Sequence, residues 1–329
     1  MEARGASSPT LPAAVRRAVL DVGTNSVKLL VAAVQAGSVI PLLEQSRQTR
    51  LGEGFFESRQ LSPLAIERTV AAIQELLSLS AAYAPASLRL VATAAAREAL
   101  NADHLQHAVQ AATGRRLEVI DGDTEADWSF RGVGTGPEGH HGLTLVTDLG
   151  GGSTEFILGY DGVRSFARSF PLGANRLLSQ LRDLADPPGP HALARCRGEI
   201  DAFLQTHLLP SLLPSLQQYP ASRPNYRAVG GSAVILARMM LEMSGFHRET
   251  IESRIITRAE LESLVVRLWA LDLDARRRLV GLPPERADII LTGAAIHEGI
   301  LRNLNLDAFR ASTRGLRFAA LLHPPPPLP

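Results

Sequence analysis

Two stretches of this chain repeat one grouping of acid, glycine and hydroxyl: Asp21-Val22-Gly23-Thr24-Asn25-Ser26 and Asp148-Leu149-Gly150-Gly151-Gly152-Ser153. Glycine lets a backbone approach a phosphate closely, and consecutive N–H groups in such a turn form a nest for an anion. Thr24, Ser26, Ser153 and Thr154 add hydroxyl donors. The pattern is not a P-loop, because GxxxxGK(S/T) occurs nowhere. One copy alone could be a tight hairpin without a ligand. Two copies, one with three consecutive glycines, point to phosphate held from two sides. A further glycine turn, Gly230-Gly231-Ser232, stands between a strand pattern and a helix pattern.

These loops need elements to aim them. Apolar runs at Arg17–Val22, Val27–Gln35 and Ser38–Gln45 read as strands around each side of the first loop. Ser62 and Pro63 read as N-cap and first helical residue, and the spacing of Leu64, Ile66, Val70, Ile73, Leu76 and Leu77 predicts an amphipathic helix. Strands at Leu88–Ala92 and Leu117–Ile120 lead into helices from about Ala94 and Asp123, giving the order βββαβαβα. The order then restarts with strands at Leu143–Leu149, Thr154–Tyr160 and Val163–Phe170. Helical segments follow over 173–218, then a strand at Tyr226–Val229, helices over 258–270 and 284–303, a strand at Ala308–Ala311 and a closing helix. Two strands beyond each loop stands the same Leu-Gly pair, Leu51-Gly52 and Leu172-Gly173, and Ala92-Thr93-Ala94 occupies the place of Gly230-Gly231-Ser232. The internal repeat predicts an α/β fold of two like domains facing one another across a cleft.

The expected organisation is a disordered leader over 1–15, a first domain over 16–130, a second over 131–312, and a Pro-rich tail over 324–329. A helix over 313–323 is expected to return to the first domain. The 329 residues suit two domains with real cores. A net charge of +1 excludes global attraction to nucleic acid or to an anionic membrane, so anion binding must be local. Lys28 is the only lysine; arginine supplies the other cations. Codon bias accounts for most of that arginine, while at individual positions a guanidinium fork suits phosphate. Cys196 is the only cysteine, which excludes an intrachain disulfide and fits a reducing compartment. No signal peptide and no apolar run of about 18 residues occurs, so the expectation is a soluble, cytoplasmic protein. His140-His141 reads as a solvated loop rather than a metal pair, and His297-Glu298 as packing or surface of a helix.

The segments DVGTNSVKLL, VATAAAREALN, DGDTEADWSFRGV, VTDLGGGSTEFILG and STRGLRFAALL together resemble the exopolyphosphatase / guanosine pentaphosphatase family, in order and over Ala18–Leu322. The resemblance implies two RNase H-like domains of the actin-like ATPase class with a central cleft. It also implies Mg²⁺, with Mn²⁺ as the other candidate metal, and release of terminal orthophosphate from polyphosphate or guanosine pentaphosphate. Carried over by position, Glu125 matches the water-activating general base. Asp148 matches the metal-binding aspartate, and Asp21 is its counterpart in the first half. Glu155 matches an acid that positions water or metal. Arg97 matches an arginine that holds the terminal phosphate. Lys28 falls where many members carry a basic residue, leaving a substrate role and an exposed strand lysine both open. Gly230, Gly231 and Ser232 match a turn that lines the nucleotide or chain path in related folds.

Two departures matter. Many members read EEAR where this chain has Thr124-Glu125-Ala126-Asp127, which keeps the base and changes the charge around it. The chain also stops near the end of the two-domain core, so short-to-medium polyphosphate is the expected substrate. Guanosine pentaphosphate is the second candidate, and a phosphotransferase using ADP the third. A non-catalytic sensor would be expected to lose Glu125, Asp148 or Glu155, and all three are present. The resemblance allows a homodimer; no segment identifies its interface.

Overall fold

Strand β1 (Val15–Val22) is buried on both faces from Ala18 onward, which is why it reads as an apolar run rather than an alternation. Ala18, Leu20 and Val22 pack with Ile66, Ile73 and Leu76 of the helix Pro63–Ala81. Val19, facing the other way, packs with Leu316, Phe318 and Leu321 of the closing helix Leu316–Leu322. In this computed structural model the described residues are 13–181 and 183–323. The expected tail over 324–329 and the leader through residue 12 lie outside them, and Val15 belongs already to β1.

The first sheet also contains β2 (Ser26–Gln35), β3 (Ser38–Gln48), β4 (Ser87–Ala92) and β5 (Glu118–Val119), in the order β3-β2-β1-β4-β5. The second contains β6 (Leu143–Leu149), β7 (Thr154–Tyr160), β8 (Val163–Phe170), β9 (Asn225–Val229), β10 (Ile255–Thr257) and β11 (Ala308–Ala311), in the order β10-β11-β9-β6-β7-β8. Read from the antiparallel edge, both run third, second, first, fourth, fifth, with β4 parallel to β1 and β9 parallel to β6. This shared order is that of the RNase H-like domain, and the pair forms the actin-like ATPase fold. β10 is an added antiparallel edge strand that the sequence pattern did not show.

Several helix expectations need correction. The helix expected from Ala94 is two helices, Ala94–Glu98 and Ala102–Thr113, separated where Ala99 turns extended. The helical segments expected over 173–218 include the helices Ala174–Gln180 and Gly189–Phe203, as expected. The helix expected over 284–303 is a 3₁₀ turn at Pro284–Arg286 and then a helix at Ile290–Asn303. Pro283 and Pro284 lack the N–H groups that a helix interior would need, and the turn they begin carries Arg286 toward the cleft. The helix Gly122–Gly134 runs past the domain boundary expected at 130. It packs Trp128 with the first sheet's core, and Ala126, Phe130 and Val133 against Val146, Ile157 and Val229 of the second.

The repeated Leu-Gly pair braces the glycine loops. Leu51 and Leu172 are buried, and the following glycines press on the loop backbones. A Cβ at Gly173 would lie 2.4 Å from Gly151 O, and one at Gly52 2.3 Å from Thr24 Cγ2. Gly52 N donates to Thr24 O at 2.8 Å and Ala174 N to Gly150 O at 3.0 Å, so each loop is tied to the segment at its own Leu-Gly pair.

Candidate active site

The carboxyl ends of β1 and β6 point both glycine loops into one cleft of about 480 Å³. Gly23, Thr24, Asn25 and Ser26 line it from the first domain and Gly150, Gly151, Gly152 and Ser153 from the second. Gly230, Gly231 and Ser232 line it as well. Gly230 has φ 101°, and a Cβ there would lie 2.4 Å from Leu149 O, so only glycine lets β9 turn into its helix this close to the loop. Asp21, Lys28, Glu125 and Asp148 complete the predicted residues that face the cleft.

Register explains which side chains meet. Asp148 pairs with Glu155 across β6–β7, and Asp21 pairs with Lys28 across β1–β2. Lys28 is therefore the first domain's counterpart of Glu155: one sheet offers a cation where the other offers a carboxylate. It faces the cleft rather than open solvent, and burial lowers its ammonium pKa while Asp21 opposes the shift. Strand alternation puts Glu155 on the side of Ile157, toward the helix Gly122–Gly134, and Thr154 on the opposite side with Phe156. Thr154 is fully buried and its hydroxyl donates to Leu172 O. It is not among the phosphate donors expected of it.

Glu125 stands in the first turn of its helix. Asp121 caps that helix by accepting from Thr124 N at 2.8 Å, which leaves Glu125 free of a capping role. Arg97 Nη1 donates to Glu125 Oε2 at 2.8 Å and to Ile120 O at 3.1 Å. The protein partner of Arg97 is thus the Glu125 carboxylate, which itself lines the cleft. Burial, followed by the charge of Glu155, raises the Glu125 pKa well above the usual carboxylate range, and Arg97 offsets only part of this. Burial likewise raises Glu155, against hydrogen bonds donated by Ser169 at 2.7 Å and Ser153 at 3.0 Å to its Oε1. Asp21 and Asp148 are raised by burial too.

Polar atoms at the cleft remain without protein partners. Asp21 Oδ1, both amide atoms of Asn25 and Asn175 Oδ1 are buried with no hydrogen-bond partner among the described residues. Buried polar groups are rarely left so, and a ligand or bound water is the ordinary explanation. Asp21 and Asp148 offer hard oxygen donors, which fit a cation such as Mg²⁺ that keeps several waters. Asp148, Asp21 and Glu155 do not close into a cage: among the described residues no three His, Cys, Asp or Glu side chains group as a ready ligand set.

Other functional groups come from segments that carry no motif. Arg286 reaches across the cleft to Ser26 Oγ at 3.3 Å, and burial pushes its guanidinium down to about 10. Arg176 donates to Gly152 O at 2.7 Å, pairs with Glu98 at 2.7 Å and stacks over Phe56. Asn175 is the second residue of the helix Ala174–Gln180. The one usable signal was position, and only for Asn175 and Arg176, which stand two and three residues after a repeated Leu-Gly. Away from the cleft, His140 is not solvated as expected: it stacks on Phe130 at 3.9 Å and bonds Phe130 O at 2.7 Å. His297 is fully buried against Phe309.

The fold places the chain among actin-like ATPase-type proteins, with two like glycine loops facing one cleft. Sequence similarity is more specific. A match to the Ppx/GppA phosphatase family spans residues 30–323, and the chain belongs to that family. It is similar to exopolyphosphatase 2 of Mycobacterium tuberculosis, 31% identical over 304 residues that cover 89% of this chain and 92% of the relative. It is also similar to the guanosine-5'-triphosphate,3'-diphosphate pyrophosphatase of Vibrio vulnificus, 30% identical over 91% of this chain and 57% of that longer protein. Among solved structures, the Aquifex aeolicus PPX-GPPA enzyme superposes with a TM-score of 0.75 at 25% identity, covering 94% of this chain and 99% of that one. An exopolyphosphatase from Cytophaga hutchinsonii shares the fold, with a TM-score of 0.81 at 24% identity over 93% of this chain and 96% of that one. Among the described residues no helix is long and apolar enough to cross a membrane.

Proposed function

We propose that this phosphoric anhydride hydrolase is an exopolyphosphatase, releasing terminal orthophosphate from inorganic polyphosphate with Glu125 as general base. The observation that carries the reading is a buried carboxylate, raised in proton affinity, at a helix start between two glycine loops from opposite domains. The N–H groups and hydroxyls of Gly23–Ser26 and Gly150–Ser153 cradle the phosphate chain. Arg286 and Lys28 add positive charge along it. Glu125 takes a proton from the water that attacks the terminal phosphorus, and the P–O bond to the next phosphate breaks as orthophosphate leaves. Arg97 orients the carboxylate and moderates its proton affinity. Asp148 and Asp21 would hold a divalent cation, Mg²⁺ or Mn²⁺, which offsets charge on the phosphate oxygens.

The second reading is hydrolysis of guanosine pentaphosphate, favoured by a wall of the same cleft formed by Val234, Ile235, Phe246 and Pro283 that could take a base. Transfer to ADP is the third. The reading is of a cytoplasmic enzyme acting on a free phosphate chain without nucleic-acid or membrane partners, and of a homodimer as its assembly. The test is orthophosphate release with Mg²⁺ from short polyphosphate, long polyphosphate and guanosine pentaphosphate, each with and without ADP. Release from polyphosphate without ADP is expected. Release from the nucleotide alone would establish the second reading, and strict dependence on ADP the third.

A further inference from the structure

Ser129 lies one helical turn beyond Glu125 and is fully buried. A serine inside a helix ordinarily faces solvent or bonds back to the carbonyl four residues earlier. Here Ser129 Oγ instead lies 2.5 Å from Asp148 Oδ2. The hydroxyl donates and the carboxylate accepts, a charge-assisted bond of the short, strong kind. The same oxygen is turned toward the backbone that enters the closing helix, since a Cβ at Gly315 would come within 3.6 Å of Asp148 Oδ2. One oxygen of Asp148 is thus held between two helices, which leaves the other for the cleft.

We propose that Ser129 is the positioning residue that fixes Asp148 as a cation ligand and sets its place relative to Glu125. The proposal rests on the reading above that Asp148 holds a divalent cation. A carboxylate on a short stem can rotate about its last bond, and a ligand left free to rotate binds more weakly. Because residues 125 and 129 share one face of one helix, the distance from base to cation ligand is set by a rigid element rather than by a loop. Serine suits the position because it supplies a donor without extra bulk. Alanine removes the donor, and threonine keeps it.

The probe is Mn²⁺ binding without substrate, followed by electron paramagnetic resonance of the free ion, on the full chain. Ser129→Ala is expected to weaken Mn²⁺ affinity about tenfold or more, and Ser129→Thr to stay within about threefold of wild type. Ser129→Cys, nearly isosteric with a much weaker donor, replaces the alanine variant should that fail to fold. Wild-type affinity in the folded alanine or cysteine variant would overturn the role of Ser129, whatever happened to its melting temperature. Equal losses in the alanine and threonine variants would overturn it as well. No Mn²⁺ binding by the wild type would instead overturn the cation reading itself, and the proposal with it.

Discussion

At Glu125 two opposing influences meet within one side chain. Burial and the Glu155 carboxylate raise its proton affinity, while the guanidinium of Arg97 lowers it. A general base must be ionised to act, so the rate should fall on the acid side as Glu125 takes up its proton. Arg97→Gln removes the lowering influence, raises the Glu125 pKa further and moves that acid limb to higher pH. A pH–rate profile of kcat/KM decides the matter. An unmoved limb with a raised KM for polyphosphate would instead mark Arg97 as a phosphate contact. The sequence motif made Glu125, Asp148 and the glycines legible because consecutive residues carry them. It misplaced Thr154 because GGGSTE runs into β7, where neighbours face opposite sides. It could not show Ser129, Ser169 or Arg286, whose roles depend on which strands and turns lie beside them.

Among the elements, the helix Ile290–Asn303 carries a buried group whose charge state the fold controls. His297 bonds Tyr226 Oη through Nδ1 at 3.2 Å, and that hydroxyl meets Thr147 Oγ1 at 3.0 Å, beneath the strand that bears Asp148. Burial pushes the His297 imidazole down to about 3, so the folded state holds it neutral. The unfolded chain binds that proton near its ordinary 6.5. Stability is therefore full above that value and is lost as pH falls from 6.5 toward 3, by about 2 kcal/mol at pH 5. His297→Phe, which keeps a ring beside Phe309, should lose this part of the pH dependence. Chemical unfolding of both proteins at pH 7.5 and pH 5 measures it, and equal slopes would show that His297 is not the group responsible. At this scale the strands were legible from apolar runs and glycine turns. The helix breaks were less so: the one before Ile290 goes with Pro283 and Pro284, while at Ala99–Asn101 Leu100 N bonds Arg59 O and the Asn101 side chain bonds the Leu61 backbone.

Across the whole molecule, arginines pair with carboxylates, several of them between the two domains. Arg50 pairs with Asp288 at 3.0 Å, and Arg176 with Glu98 at 2.7 Å, each across the cleft. Arg248 of the second domain meets Glu44 of β3. Arg286 and Arg317 line the cleft, while Arg50, Arg176 and Arg248 join the two domains. Arg50 and Asp288 are each about one-third exposed, at 37% and 33% for their side chains, so the pair is worth up to about 1 kcal/mol. Arg50→Ala should accordingly raise KM for polyphosphate a few-fold and leave kcat nearly unchanged. The same shift in Asp288→Ala, with no further shift in the double variant, would tie the effect to the pair. Two-domain architecture was legible from the internal repeat. The closing contacts were not, because they join residues hundreds of positions apart.

The most direct measurement is orthophosphate release from a short polyphosphate with Mg²⁺ by the wild type and by Glu125→Gln, with polyphosphate binding measured on both. Glutamine keeps the shape and can still face Arg97, but it cannot take a proton from water. The expected result is release by the wild type and a loss of at least about a thousandfold in the variant, with binding retained. A folded variant that binds polyphosphate and hydrolyses it within about tenfold of the wild-type rate would contradict the assignment of Glu125 as the base.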